Sequence, residues 1–122
     1  MNTEENAKSL IDEHLRELNW NLADFNQITK EYPITGREKA DYAVLVNGLP
    51  VAIIEAKKQG MDLNAALVQA KNYAKKLSEV GKEVYLIFAS DGRTFYRQNL
   101  KANTRPEKIS RRGCLKNPKV LI

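Results

Sequence analysis

Hydrophobic residues recur at three- and four-residue spacing in two segments, which predicts two amphipathic helices. In residues 3–18 the apolar positions are Ala7, Leu10, Ile11, Leu15 and Leu18. In residues 62–80 they are Leu63, Ala66, Leu67, Ala70, Ala74 and Leu77. We expect Asn2 or Thr3 to cap the first helix and Asp62 the second, with Gly81 ending the second helix in a left-handed conformation.

Continuous apolar runs predict the strands. Residues 40–46 and 49–56 flank Asn47-Gly48, a dipeptide typical of a tight β-hairpin turn. A short edge strand or extended segment is expected at Tyr32–Ile34, and two more strands at residues 84–90 and 94–97. The order helix, short strand, hairpin, helix, strand, strand predicts an α/β fold, in which helices flank a small mixed sheet.

Length and composition indicate one domain without a membrane segment. The chain has 122 residues, and no apolar run approaches the roughly 20 residues of a membrane span. The N-terminus does not resemble a signal peptide, and the single cysteine, Cys114, fits a reducing cytoplasm. One His and one Cys argue against a zinc site of the usual kind, and His14 is interpreted as a core residue rather than a ligand.

The net charge of +5 is concentrated at the C-terminal end. Residues 101–122 hold seven Lys and Arg against one Glu, so the first hundred residues are close to neutral. The pattern favours a domain over residues 1–100 and a basic linker or tail over 101–122. A basic tail either binds phosphate backbones or is simply a solvated linker.

Three ionisable residues lie in the apolar hairpin. A charge in a buried strand costs several kcal/mol unless it is paired, hydrogen-bonded or bound to a metal, so Asp41, Glu55 and Lys57 require an explanation. Two carboxylates and a lysine suit metal-assisted phosphodiester hydrolysis, in which Mg²⁺ takes carboxylate oxygens as ligands. The alternative is an ordinary ion pair between Glu55 and Lys57 at a sheet edge.

The hairpin register tests this interpretation. With a regular two-residue turn, Asp41 would lie opposite Ile54, and Glu55 would point to the other face. For the two carboxylates to share a face, the loop must hold an odd number of residues or a β-bulge must interrupt a strand. We predict such an irregularity between Asp41 and Glu55.

Four segments together resemble the N-terminal nuclease domain of type I restriction enzyme R subunits, within the PD-(D/E)XK nuclease superfamily. The segments are Gly36–Tyr42, Pro50–Lys58, Gln69–Tyr73 and Phe88–Gly92. The resemblance covers roughly residues 3–100 in the family's order. It implies a PD-(D/E)XK restriction-endonuclease-like core and Mg²⁺-dependent endonucleolytic cleavage of double-stranded DNA.

The resemblance also implies roles for individual residues. Asp41 and Glu55 would hold the metal, and Lys57 would be the catalytic lysine. Gln69 and Tyr73 match the family's Gln-xxx-Tyr element, which would order the site or contact DNA; ordinary packing at a helix edge is the alternative. A carboxylate of the first helix would complete the metal site, and Glu4 is preferred over Glu5 because it lies on the apolar stripe.

The family context implies partners beyond this chain. R subunits work with methyltransferase and specificity subunits, and they continue into an ATP-dependent motor. No GxxxxGK[ST] phosphate loop is present here, so ATP would bind only to the full-length subunit. Two other functions stay open: a non-catalytic DNA-binding or assembly module of the same fold, and a stand-alone structure-specific nuclease.

Overall fold

Two helices lie on opposite faces of a six-stranded sheet. The computed structural model describes residues 3–109. The elements are α1 (Glu4–Glu17), β1 (Ile28–Pro33), β2 (Lys39–Val46), β3 (Leu49–Ala56), α2 (Leu63–Glu79), β4 (Leu86–Ser90), β5 (Phe95–Asn99) and β6 (Glu107–Ile109). The predicted mixed α/β class is confirmed. None of the helices in the described range has the length and apolar character needed to cross a bilayer.

The strands lie in the sheet in the order in which they occur along the chain. Strands β3 and β4 are parallel, and every other neighbouring pair is antiparallel. The parallel pair requires a crossover, and α2 supplies it between β3 and β4. The amino end of α2 therefore follows the carboxyl end of β3, the end that carries Glu55 and Ala56.

Each face of the sheet has its own apolar core. Ile11 and Leu15 of α1 pack with Tyr42, Ile54 and Phe88 on one face. The apolar stripe of α2 packs on the other face against β-strand residues that include Ile53 and Ile87. His14 is only 2% exposed, and its ring centroid lies 4.9 Å from that of Phe95, which confirms its interpretation as a core residue.

The predicted capping residues Thr3 and Asp62 cap the two helices in the structure. Thr3 Oγ1 accepts a hydrogen bond from the Asn6 amide at 3.0 Å, and Asp62 Oδ1 accepts one from Asn64 at 2.9 Å. Gly81 follows α2 with φ +83°. Each helix is one residue shorter at each end than the hydrophobic spacing predicted.

The sheet is larger than the sequence predicted at both edges. Strand β1 begins at Ile28, in a stretch with weak patterning, because its register against β2 pairs Ile28 with Val44. Strand β6 lies inside the segment predicted as a linker, and pairs Phe95 with Ile109. The interpretation of residues 101–109 as loop is therefore wrong for Glu107–Ile109. Residues 110–122 of the predicted linker, which include Cys114, lie outside the described residues. The candidate cap Asn2, at the other end of the chain, lies outside them too.

Gly92 allows α1 to pack closely against the turn between β4 and β5. Gly92 has φ +93°, and a Cβ added there would lie 2.6 Å from Leu10 Cβ and 3.2 Å from the Ala7 carbonyl oxygen. Ser90 Oγ accepts a hydrogen bond from the Gly92 amide at 2.9 Å. Only a residue without a side chain permits α1 to lie this close to the turn.

Candidate active site

A β-bulge brings Asp41 and Glu55 opposite each other. The hairpin turn is a two-residue turn, with Asn47 at φ +53° and Gly48 at φ +78°. Leu45 pairs with Pro50, but Val44 pairs with Ala52, so Val51 is an extra residue on β3. The shift confirms the predicted irregularity, and the register beyond it sets Asp41 against Glu55.

Proline favours the bulge at this point. Pro50 has no amide N–H to donate, so a regular antiparallel ladder could not continue through it without losing a hydrogen bond. Next to it, the Leu45 amide donates to the Gln27 carbonyl at 2.8 Å, and the Val51 carbonyl accepts from the Tyr85 amide at 3.2 Å. The residues just before β1 and β4 thus each bond to a backbone group at the bulge.

The two carboxylates continue the strand pairing beyond its last backbone pair. The regular register ends at Tyr42 opposite Ile54. Beyond it, Glu55 Oε2 accepts a hydrogen bond from the Asp41 amide, and Asp41 Oδ2 accepts one from the Ala56 amide, both at 2.8 Å. These bonds hold both side chains in place at the point where the strands separate.

The Glu55 carboxylate is buried beside the negative charge of Asp41. Glu55 is 3% exposed, whereas the side chain of Asp41 is 19% exposed. Burial, and after it the negative charge of Asp41, raise the pKa of Glu55 from 4.5 to about 8, although the hydrogen bond from the Asp41 amide and, less strongly, the charge of Lys57 lower it. A cation between the carboxylates would relieve this repulsion.

Lys57 lies at the carboxyl end of β3. Its amide donates to the Ser90 carbonyl at 3.0 Å, which ties the residue to the end of β4. Within residues 3–109 no ion pair of Lys57 with a carboxylate is found at 4.0 Å or less, so the structure does not contain the alternative Glu55–Lys57 pair. The side chain of Lys57 is partly exposed.

Lys8 of α1 is a site residue that the sequence did not reveal. Its Nζ lies 3.5 Å from Asp41 Oδ1, 3.9 Å from Glu4 Oε1 and 4.0 Å from Glu5 Oε1. Burial lowers the pKa of Lys8, but the neighbouring carboxylates, above all Asp41, outweigh it and raise the pKa. The spacing of Lys8 from Glu4 and Glu5 predicts pairs along α1, whereas the contact with Asp41 depends on how α1 docks on the sheet.

Glu4 lies next to Lys8 in the structure. The Glu4 carboxylate faces Lys8, and Lys8 lies between it and Asp41. Glu5 is similar and more exposed, with an 86% exposed side chain. In the described part of the chain, no group of three or more His, Cys, Asp and Glu side chains is arranged to hold a metal. The expectation that Glu4 completes the metal site stays a prediction.

Gln69 and Tyr73 form one unit on α2. Gln69 Nε2 donates to Tyr73 Oη at 2.6 Å. Tyr73 is 6% exposed and packs in the core cluster that includes Ala40 and Ile53, which lie near Asp41 and Glu55 along their strands. Tyr73 thus packs in the core as well as bonding to Gln69, and their predicted roles in ordering the site or binding DNA remain predictions.

The donor set fits a magnesium ion. Mg²⁺ in proteins often takes one or two carboxylates and completes its coordination with water and substrate phosphates. Asp41 and Glu55 are two such carboxylates, held side by side by backbone hydrogen bonds. A groove of about 250 Å³ opens beside Asp41, and it is lined by Glu5, Lys8, Ser9, Asp12, Lys30, Glu31, Asp41 and Tyr42.

Two curated relatives of this chain are endonuclease subunits of type I restriction enzymes. Over 52 residues, the chain is 38% identical to an endonuclease subunit of a type I restriction enzyme from Staphylococcus aureus strain COL. It is 40% identical over 52 residues to another such subunit, from Staphylococcus saprophyticus. Both alignments cover 41% of this chain and 6% of the relative.

A solved structure has the same fold. It is named as a fragment of an HsdR subunit of a type I restriction enzyme from Vibrio vulnificus YJ016, and it matches with a TM-score of 0.66 and 18% identity. The match covers 97% of this chain and 25% of the solved chain. The chain thus corresponds to a small part of the proteins it resembles.

A family model extends the sequence match over most of the sheet. The model described as "Type I restriction enzyme R protein N terminus" matches residues 24–105, which is more than half of the chain and includes Asp41, Glu55, Lys57, Gln69 and Tyr73. The chain therefore belongs to the family of type I restriction enzyme R protein N-termini.

Proposed function

We propose that this domain carries the nuclease site of a type I restriction enzyme R subunit and hydrolyses phosphodiester bonds of double-stranded DNA with Mg²⁺. The observation that carries the proposal is the pair of backbone hydrogen bonds across β2 and β3, from the Asp41 amide to Glu55 and from the Ala56 amide to Asp41, because they fix two carboxylates next to each other. Family membership supports DNA as the substrate.

In the proposed mechanism Asp41 and Glu55 hold the metal. When bound, Mg²⁺ would polarise the phosphate and lower the pKa of an attacking water. Lys57, two residues after Glu55, would orient that water and stabilise the charge that develops on the phosphate oxygens. Gln69 and Tyr73 would order the site by holding α2 in place against β2 and β3, or they would contact the DNA backbone.

The larger assembly belongs to the same proposal. The R subunit would meet DNA together with methyltransferase and specificity subunits, in a cytoplasmic restriction complex, and an ATP-dependent motor would lie outside this chain. The PD-(D/E)XK motif would comprise Asp41 and Glu55-Ala56-Lys57. The two carboxylates and the following lysine, in this chain order, support that assignment.

The experiment is cleavage of plasmid DNA by the complete restriction complex carrying Asp41→Asn, Glu55→Gln or Lys57→Ala. Each amide keeps an oxygen that accepts the backbone hydrogen bond while it removes the charge, so the fold should persist. We expect cleavage to be lost in all three variants, with DNA binding retained. A wild-type rate in any of them would refute the nuclease assignment, and DNA binding without cleavage by the wild type would favour an assembly module.

A further inference from the structure

Lys8 has a position that the proposed chemistry does not explain. Its ammonium lies 3.5 Å from Asp41 Oδ1. The backbone of Lys8 is held in position as well, because the Tyr42 hydroxyl lies within hydrogen-bond distance, 3.0 Å, of the Lys8 carbonyl oxygen. The same hydroxyl donates to Asp12 Oδ1 at 2.6 Å, one helical turn further along α1. The docking of α1 on β2 therefore presents Lys8 to Asp41.

The same ammonium has two further carboxylate partners. Glu4 Oε1 lies 3.9 Å and Glu5 Oε1 4.0 Å from Lys8 Nζ. Their side chains are 47% and 86% exposed, whereas that of Asp41 is 19% exposed. A small rotation of the flexible lysine toward solvent would thus exchange one carboxylate for others, and the ammonium would keep a counter-charge.

A divalent cation at Asp41 would change this balance. Two cations near one carboxylate repel each other, and the effect is strongest where water is partly excluded. Asp41 Oδ1 is the oxygen that faces Lys8, since Oδ2 accepts the Ala56 amide. Metal binding at this carboxylate therefore competes directly with Lys8.

We propose that Lys8 is the resident counter-ion of Asp41, and that a divalent cation displaces it toward Glu4 and Glu5 on binding. The inference rests on the proposed function, in which Asp41 is a metal ligand. It adds a second lysine to the site, on α1, whose part is to set the affinity for the metal. Lys8 keeps Asp41 neutralised before the metal arrives, at the cost of weaker metal binding.

The test is calorimetric titration of the chain with MgCl₂ alone, without DNA. Lys8→Met should bind Mg²⁺ about two- to five-fold more tightly than wild type, the range expected for losing one partly exposed competing charge. Lys8→Arg should stay within two-fold of wild type, since it keeps the charge. Lys30→Met is the matched control, because Lys30 lines the same groove but pairs with Asp12.

The outcomes separate the inference from the function on which it rests. Unchanged or weaker binding in Lys8→Met overturns the inference, and so does equal tightening in Lys30→Met, which would be a net-charge effect. If wild type shows no saturable Mg²⁺ binding, or Asp41→Asn leaves it unchanged, the proposed metal site itself is refuted. Thermal melts in EDTA check folding, and Lys8→Gln replaces Lys8→Met if that variant does not fold.

Discussion

Asp41 and Glu55 each accept a hydrogen bond from the strand that carries the other, with both N···O distances at 2.8 Å. The site is consequently part of the sheet as well as a pair of charges. Replacing either residue by alanine would leave an amide N–H without its acceptor, at a cost of about 1–3 kcal/mol if the group stays buried. Amide substitutions therefore separate the chemistry from the fold more cleanly.

The first prediction concerns the pH dependence of stability in EDTA. The folded-state pKa of Glu55, about 8, lies above its usual value of 4.5. A raised pKa means that the folded state favours the protonated form of Glu55. The contribution of Glu55 to the free energy of unfolding is therefore fully present below pH 4.5 and is lost as the pH rises through 8. Urea denaturation of wild type and Glu55→Gln at pH 5 to 8 should show wild type losing about 1 kcal/mol or more relative to the variant.

Asp41→Asn supplies the control for that measurement. It removes the second charge, so the pKa of Glu55 should fall, and the loss of stability with rising pH should become smaller. If the difference in stability between wild type and Glu55→Gln does not change from pH 5 to pH 8, the pKa of Glu55 is not raised as described.

The second prediction separates Lys57 from its neighbour. Lys57→Ala should abolish cleavage by the complete complex and leave Mg²⁺ binding to the chain within about two-fold of wild type, because Lys57 acts on water and phosphate in the proposed mechanism. Lys58→Ala is the matched control: Lys58 is exposed and carries the same charge, and cleavage should continue. Equal loss of activity in both variants would point to general attraction of DNA instead.

The third prediction addresses Gln69 and Tyr73. Because Tyr73 is buried, Tyr73→Ala should cost about 3–5 kcal/mol of stability whatever the role of its hydroxyl. Tyr73→Phe and Gln69→Ala remove the 2.6 Å hydrogen bond and keep the packing, so they should lower cleavage with little change in melting temperature. Thermal melts beside a cleavage assay decide; full activity in both variants would leave packing as the role of this pair.

The fourth prediction tests the docking of α1. Gly92 and Gly60 have nearly the same φ, +93° and +90°, but a Cβ at Gly60 would meet nothing within 4 Å. Gly60→Ala should therefore cost about 1 kcal/mol for backbone strain alone. Gly92→Ala adds the collision with Leu10 and should cost roughly 2–4 kcal/mol in urea denaturation. Equal costs would show that α1 moves away from the turn easily.

Local signals in the sequence determined the helices, the hairpin and the class of fold. The apolar spacing gave both helices to within one residue at each end, since a helix that covers a sheet must present an apolar stripe. Asn47-Gly48 determined the turn, because both residues tolerate the positive φ that it requires. Side chains alternate between the two faces along each strand, so a regular hairpin would place Asp41 and Glu55 on opposite faces. The sequence therefore also required one irregularity if the two residues were to share a face.

Contacts between distant segments decided the rest. The bulge falls at Val51 rather than in the turn, and backbone groups beside it bond to Gln27 and Tyr85, which directly precede β1 and β4. Strand β6 is short and exposed, so its own sequence carries little signal, and pairing with β5 forms it. Lys8 reaches Asp41, 33 positions further along the chain, only because α1 docks on β2; such an approach leaves no periodic trace in the sequence, and tertiary packing alone determines it.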